Sequence, residues 1–162
     1  MLGHGMLMAA GGGGAISARI WRLNVTASAD GGAYMNILEI DLRESAGGIN
    51  ACNGSGGTAS ESSAYSSVYT SKEAFFQPHP SGTTYFWHSA SQTAPWWAKF
   101  DFGPTLKKSI MEVSITGANI AGRQPKDFSI DYSDDGVTWK TRKSFSGVTG
   151  WVIGTPKVFS LI

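Results

Sequence analysis

The residues of this chain that could do chemistry are aromatic rings and planar polar groups. The sequence has six Trp, five Tyr and eight Phe among 162 residues. Sugar binding uses a flat aromatic face against the apolar side of a sugar ring, and planar polar groups for the hydroxyls. The guanidinium of Arg suits the second task because its fork of donors is rigid. These residue types favour a binding module over an enzyme.

Catalytic motifs are lacking in the sequence. The three histidines are widely separated, at positions 4, 79 and 88, and have no metal-ligand spacing such as His-Glu-x-x-His. There is no Gly-x-Ser-x-Gly elbow, and Cys52 has no motif around it that marks a nucleophile. The adjacent Asp134 and Asp135 fit a hairpin turn, although paired glycosidase carboxylates from distant positions leave no sequence pattern. We expect no catalysis and no cofactor.

The composition of the chain argues against some classes of partner. The length fits about one domain, and the net charge is only +1, from 13 basic and 12 acidic residues. A nucleic-acid partner would need a basic stripe, so none is expected. Cys52 is the single cysteine, which excludes an internal disulfide and agrees with folding in a reducing cytoplasm. No stretch is long and apolar enough to predict membrane insertion, and the N-terminus does not read as a signal peptide.

Alternating apolar and polar residues predict strands through most of the chain. The first starts at Arg19 and turns Trp21, Leu23 and Val25 to one face. The second spans residues 37–43, with Leu38, Ile40 and Leu42 facing the core. A short irregular strand is expected near 58–62, and further strands at 97–102, 110–116, 127–133, 137–142 and 157–161. Without a sustained helical period, the pattern predicts an all-β fold, an antiparallel β-sandwich or jelly roll.

The first 17 residues differ from the rest in composition. They are rich in Met, Gly and Ala and include an unbroken glycine run at 11–14. Ordering glycine costs much backbone entropy. The segment is therefore predicted to be a flexible arm, or alternatively an attachment segment that orders against a partner, with the sandwich domain spanning 18–162.

Two adjacent tryptophans, Trp96 and Trp97, lie at the start of the strand predicted at 97–102. Neighbouring residues of a strand point to opposite faces. If Phe100 and Phe102 lie in the core, Trp96 shares their face and Trp97 points outward. Core packing and ligand contact both remain open for this pair.

Several motifs in order resemble a known family. They are Tyr85-Phe86-Trp87-His88-Ser89, Trp97 to Gly103, Ile115-Thr116-Gly117, Pro125 to Phe128, Ser133 to Gly136, and Thr138-Trp139. Together they resemble the discoidin, or coagulation factor type C, domain and the family 32 carbohydrate-binding modules, over about residues 19–161. The resemblance implies the galactose-binding-like jelly-roll fold. The opening 19–23 and 37–40 segments are similar to the form found in bacteriophage tail and virion proteins.

The resemblance also implies a ligand site on loops at one end of the sandwich. The candidate carbohydrate contacts are Trp87, His88, Trp96, Asn119, Arg123 and Trp151. Each has an alternative role: core packing for the tryptophans, a structural hydrogen bond for His88, and solvated loop polarity for Asn119 and Arg123.

Many members of the family carry a structural calcium ion, for which this sequence lacks the usual carboxylates. Ala74-Phe75 is followed by Phe76-Gln77 instead of Asp-Gly, and residues 155–157 contain no acidic side chain. Calcium prefers six or more oxygen ligands, carboxylates above all. We therefore expect that the usual site is lost and that no metal is bound.

Two functions are consistent with this pattern. The first is a non-catalytic adhesion domain in a phage or prophage tail, which binds host cell-surface glycans. Individual sites of this kind are weak, so several copies, as in a homo-oligomer, are expected. The second is a structural virion component, a decoration or tail-tip protein that contacts other virion or tail proteins. Both place the protein in the virion tail or outside the cell, after synthesis in the bacterial cytoplasm.

Overall fold

The computed structural model describes residues 15–76 and 85–162. Nine strands and one short helix follow each other in these residues: β1 (Ile20–Ser28), β2 (Asn36–Arg43), β3 (Thr58–Glu61), α1 (Ser71–Phe75), β4 (Trp87–His88), β5 (Trp96–Asp101), β6 (Glu112–Gly117), β7 (Pro125–Ser133), β8 (Lys140–Phe145) and β9 (Pro156–Ser160). Most of the predicted arm, the glycine run and His79 fall outside the described residues.

The strands form two antiparallel sheets. One has five strands in the order β3-β5-β1-β7-β8, and the other has four in the order β4-β2-β6-β9. A single apolar core joins them, since Trp21 and Leu23 of the first sheet pack in one cluster with Ile40 and Ile115 of the second. The prediction of an all-β antiparallel sandwich is confirmed.

Alternation in the central strands builds this core. In β1, Trp21, Leu23 and Val25 are buried, and the partner strand β5 buries Trp96, Ala98 and Phe100. The buried indole of Trp21 donates to the carbonyl of Lys108 over 3.0 Å, which satisfies its one polar atom. Burying an aromatic side chain is worth about 1.5–3 kcal/mol, so these strands provide much of the stabilisation.

The predicted facing of β2 is wrong at Leu38. The register between β2 and β6 shifts between Ile37 and Glu39, and a β-bulge of this kind adds one residue to one strand. The buried apolar residues of β2 are therefore Ile37, Ile40 and Leu42, while Leu38 is only half-buried.

Three further elements differ from the sequence prediction. The two-residue strand β4 was not predicted. The helix α1 has five residues, which is too short to produce a helical period. The strand β8 begins at Lys140 instead of position 137, because the β7–β8 turn is longer than predicted. The carboxylate of Asp135 accepts hydrogen bonds from the backbone amides of Val137 and Thr138, over 2.8 and 2.7 Å, and holds those residues in the turn.

Candidate functional site

Five connecting segments meet at one end of the sandwich, which we call the loop end: residues 29–35, 62–70, 89–95, 118–124 and 146–155. They start or finish at strand ends that the antiparallel pairing brings together. Backbone hydrogen bonds tie the segments to one another and to the sheets, for example from Gln92 N to Ala33 O over 3.1 Å and from Gly154 N to Gly117 O over 3.0 Å. Loops fixed on a rigid sandwich are the usual place for binding residues.

Arg123 lies at the centre of a polar and aromatic group on the loop end. Its Nη1 is 3.0 Å from Nε2 of His88, and its guanidinium carbon is 4.4 Å from the centroid of the Tyr34 ring. Arg always carries its protons, so Nη1 donates and the neutral imidazole accepts at Nε2. The structure therefore brings together two of the predicted site residues, Arg123 and His88, from distant parts of the chain.

His88 is held in its neutral form. Its burial lowers the pKa below the ordinary value of 6.5, and the positive charge of Arg123 lowers it further. Because Nε2 accepts from Arg123, the remaining ring proton belongs on Nδ1. A neutral imidazole in this place orients the guanidinium without repelling it.

Aromatic rings surround this pair. Tyr65 stacks on the His88 ring, with centroids 5.1 Å apart and an interplanar angle of 11°. Tyr34, Tyr69 and Phe86 lie around the same imidazole at centroid distances of 5.5 to 6.2 Å. We call the six residues the Arg123 cluster: Tyr34, Tyr65, Tyr69, Phe86, His88 and Arg123. Tyr65 is 62% exposed, so the cluster presents an aromatic residue to solvent beside a cation.

The 118–124 segment holds Arg123 in place through buried amides. The side-chain oxygen of Asn36 accepts from Ile120 N over 3.1 Å, and the side-chain nitrogen of Gln124 donates to Ile120 O over 2.8 Å. Asn36 N also donates to Arg123 O over 2.8 Å. Both amide side chains are fully buried. The other polar atoms of these side chains, Asn36 Nδ2 and Gln124 Oε1, are buried without a hydrogen-bond partner among the described residues. The two hydrogen bonds to Asn36 tie the segment to β2, so Arg123 projects from a backbone that is held at Ile120 and at Arg123 itself.

The other predicted contacts have different environments. Trp87 is fully buried in the core, and its indole nitrogen donates to Ser63 O over 2.9 Å. It therefore presents no ring face to a sugar and does not form part of the site. Trp96 is 3% exposed and lines a cleft. Asn119 is exposed on the same segment as Arg123.

Trp151 is half-buried at the loop end. Its indole nitrogen donates to Pro125 O over 2.9 Å, and Nζ of Lys157 lies 5.6 Å from the ring centroid. It also packs against the core, near Phe159. The residue thus combines a structural hydrogen bond with a partly accessible ring.

Sequence reasoning missed Tyr34 as a site residue and treated Tyr65 only as an anchor for its loop. The available signal was a Tyr two positions after the Gly31-Gly32 turn, and a second Tyr in a segment otherwise poor in large residues. Only the folded chain shows that both lie beside His88.

Within the described residues, no three His, Cys, Asp or Glu side chains form a group that could hold a metal ion. The part of the chain that the structure describes also has no helix long and apolar enough to cross a membrane.

Comparison with known proteins identifies one family. The sequence model of the F5/8 type C domain matches residues 57–159. That match covers well over half of the chain and includes the β3 to β9 region with His88, Trp96 and Arg123. No curated protein and no solved structure matches the chain.

Proposed function

The chain belongs to the F5/8 type C family, and from this membership we propose that it is a carbohydrate-binding domain whose loop end recognises surface glycans. Domains of this family are generally carbohydrate- or protein-binding modules, and they are typically non-catalytic. The proposal that the ligand is a glycan rests on the chemistry of the loop end.

The observation that carries the proposal is the fixed guanidinium of Arg123. Its contact with His88 uses one of five N–H donors, which leaves donors that can serve neighbouring ligand oxygens. Tyr65 next to it supplies an exposed ring for the apolar side of a sugar. This combination of planar donors and an aromatic residue on a rigid loop matches the chemistry of sugar recognition.

The charge of Arg123 favours an acidic glycan. Across residues 15–76 and 85–162, each Lys or Arg ion pair with a carboxylate involves a residue other than Arg123. A guanidinium binds a carboxylate with two parallel hydrogen bonds. A uronic or sialic acid at this position would thus gain a charge-assisted contact that a neutral hexose lacks.

The test is a glycan-array screen of the domain displayed in several copies, followed by titration of the best ligand. Hydrogen bonds to charged groups are worth about 1.5–3 kcal/mol, so Arg123→Ala should weaken binding by about 10- to 150-fold. Arg123→Lys, which keeps the charge and loses the fork, should also weaken it. The matched control is Arg142→Lys on β8, away from the loop end, which should bind like the wild type. A blank across bacterial and animal glycans would refute the proposal.

A second candidate is a protein contact, as expected for a structural virion component. Its support is a group of exposed apolar residues near Trp151: Val152, Ile153 and Val158 are 63%, 41% and 51% exposed. Val158 lies on β9, an edge strand of the four-stranded sheet. Under this alternative, Val152→Ser with Ile153→Ser prevents incorporation into particles, and the wild type binds no glycan at any tested concentration.

We place the adhesion role in a phage or prophage tail. The support is the similarity of the opening segments at 19–23 and 37–40 to phage tail and virion proteins. Mass spectrometry of purified particles should detect the chain, and light scattering should show a homo-oligomer, which a weak site needs for useful avidity. Absence from the particles would contradict this setting without affecting glycan binding.

A further inference from the structure

The cleft that Trp96 lines opens at the loop end, beside the Arg123 cluster. Its volume is about 620 Å³, and it lies between the end of β1, the 29–35 segment and the 89–95 segment. Pockets for small ligands usually measure about 300–1,000 Å³. The two regions are neighbours along the chain: Ala33 lines the cleft, and the next residue, Tyr34, packs on Arg123.

The cleft is lined by uncharged residues. Those that the structure describes there are Gly and Ala with the hydroxyls of Ser and Thr, the amide of Gln92 and the indole of Trp96. A buried carboxylate or sulfate would need a paired cation, and the described lining supplies none. Hydroxyls and small apolar surfaces instead suit an uncharged sugar residue.

One buried donor in this lining is unused by the described residues. Trp96 is 3% exposed, and its Nε1 has no hydrogen-bond partner there. By contrast, Ser28 Oγ donates to Asp30 Oδ1 over 2.9 Å, and Gln92 Nε2 donates to Pro95 O over 2.9 Å. A buried N–H without a partner is destabilising. This atom has almost no accessible surface, so the indole contributes to the cleft wall as an apolar surface and not as a donor to a ligand.

We propose that the cleft binds an uncharged sugar residue of the same glycan whose acidic residue contacts the Arg123 cluster. The preferred ligand is then an oligosaccharide of at least two residues, whose uncharged residue lies against the hydroxyls and small apolar groups of the cleft. This inference rests on the proposed carbohydrate-binding function. It adds that binding requires two adjacent subsites of different charge.

The experiment titrates the whole chain with four probes: N-acetylneuraminic acid, sialyllactose, galactose and lactose. The wild type should bind sialyllactose about tenfold more tightly than N-acetylneuraminic acid, equivalent to about 1.4 kcal/mol. Thr93→Trp fills the cleft from an exposed position and should reduce this ratio to about one.

The control is Val137→Trp, an equally large substitution at the opposite end of the sandwich, where the side chain is 83% exposed. It should leave both affinities unchanged, and thermal unfolding should confirm that each variant is folded. An unchanged ratio in Thr93→Trp overturns the second subsite while leaving the proposed function intact. Loss of N-acetylneuraminic acid binding in folded Thr93→Trp overturns the division into two subsites. If the wild type binds none of the four probes, the two-subsite inference is overturned, whereas the proposed function is refuted only by a blank on the glycan array.

Discussion

Replacing Gly122 by Ala should disturb the segment that presents Arg123. Gly122 has a φ of +87°, and a Cβ added there would lie 2.8 Å from Cβ of Asp30. The same two residues are joined by a hydrogen bond from Asp30 N to Gly122 O, over 2.8 Å. The backbones therefore cannot separate to make room without losing that bond.

The expected magnitude has two parts. A left-handed conformation costs an L-residue about 1–2 kcal/mol, and forcing an extra carbon into a tight contact costs about 1–3 kcal/mol. The sum is about 2–5 kcal/mol. For a protein of this size, each kcal/mol lowers Tm by about 2–4 °C, so Gly122→Ala should lower Tm by about 4–20 °C.

The assay is thermal unfolding of four variants. Gly47→Ala is the matched control, because Gly47 has a φ of +65° with no atom within 4 Å of an added Cβ. It should lose only the backbone part, about 1–2 kcal/mol. The third variant combines Gly122→Ala with Asp30→Gly. Together with Asp30→Gly alone it gives a double-mutant cycle that isolates the contact between the two side chains.

Equal losses of stability in Gly122→Ala and Gly47→Ala would refute the steric part of the reasoning, as would a cycle with no coupling. The glycan titration adds a functional readout. Below its midpoint of unfolding, Gly122→Ala should bind the array ligand more weakly than Gly47→Ala, because the Arg123 backbone has moved.

Three other substitutions test the roles assigned above. The pKa of His88 is lowered by burial and then by Arg123. The stabilisation of the folded state by neutral His88 is therefore complete above pH 6.5 and is lost as the pH falls from there through the folded-state pKa. In unfolding scans from about pH 7.5 to about pH 5, His88→Gln should lose this pH dependence of stability. Trp87→Phe should lower the free energy of unfolding by about 1–3 kcal/mol without weakening glycan binding, and a loss of binding by the folded variant would contradict a core role. The pKa of Asp135 lies well below its usual range because backbone amides of the turn donate to it, so its stabilisation is present above about pH 4 and lost as the pH falls towards that lower pKa. Asp135→Asn should therefore be less stable than the wild type at neutral pH, and this difference in stability should narrow below about pH 4. A difference in stability that does not change with pH would contradict the stabilising role of the Asp135 carboxylate.

Local alternation was sufficient to predict the fold class. The residues of β1 and β5 alternate with a period of two, so their buried faces follow from the sequence alone. The same reasoning placed Leu38 in the core and failed there, because the bulge in β2 depends on its pairing with β6. The bulge changes the facing of the residues before it relative to those after it, so Ile37 is buried in place of Leu38, while Ile40 and Leu42 face the core as predicted.

Part of the candidate site was also predictable. His88 was named from a motif that resembles the family, and Arg123 from the loop between two predicted strands, but nothing in the sequence joins them. They are 35 positions apart, and their 3.0 Å contact requires β4 to pair with β2 and the 118–124 segment to fold back on Asn36. The sequence likewise did not distinguish Trp87, which is fully buried, from an aromatic residue that is open to a ligand.

The sequence thus determined where most of the strands lie and which residue types are available for binding, since both depend on near neighbours along the chain. The tertiary structure alone decided which loops meet at one end, which rings surround His88 and where a cleft opens next to Trp96. These depend on the register and order of strands, and they are set by contacts between residues far apart in sequence. Cooperative packing of the whole sandwich fixes such contacts, so no single segment encodes them.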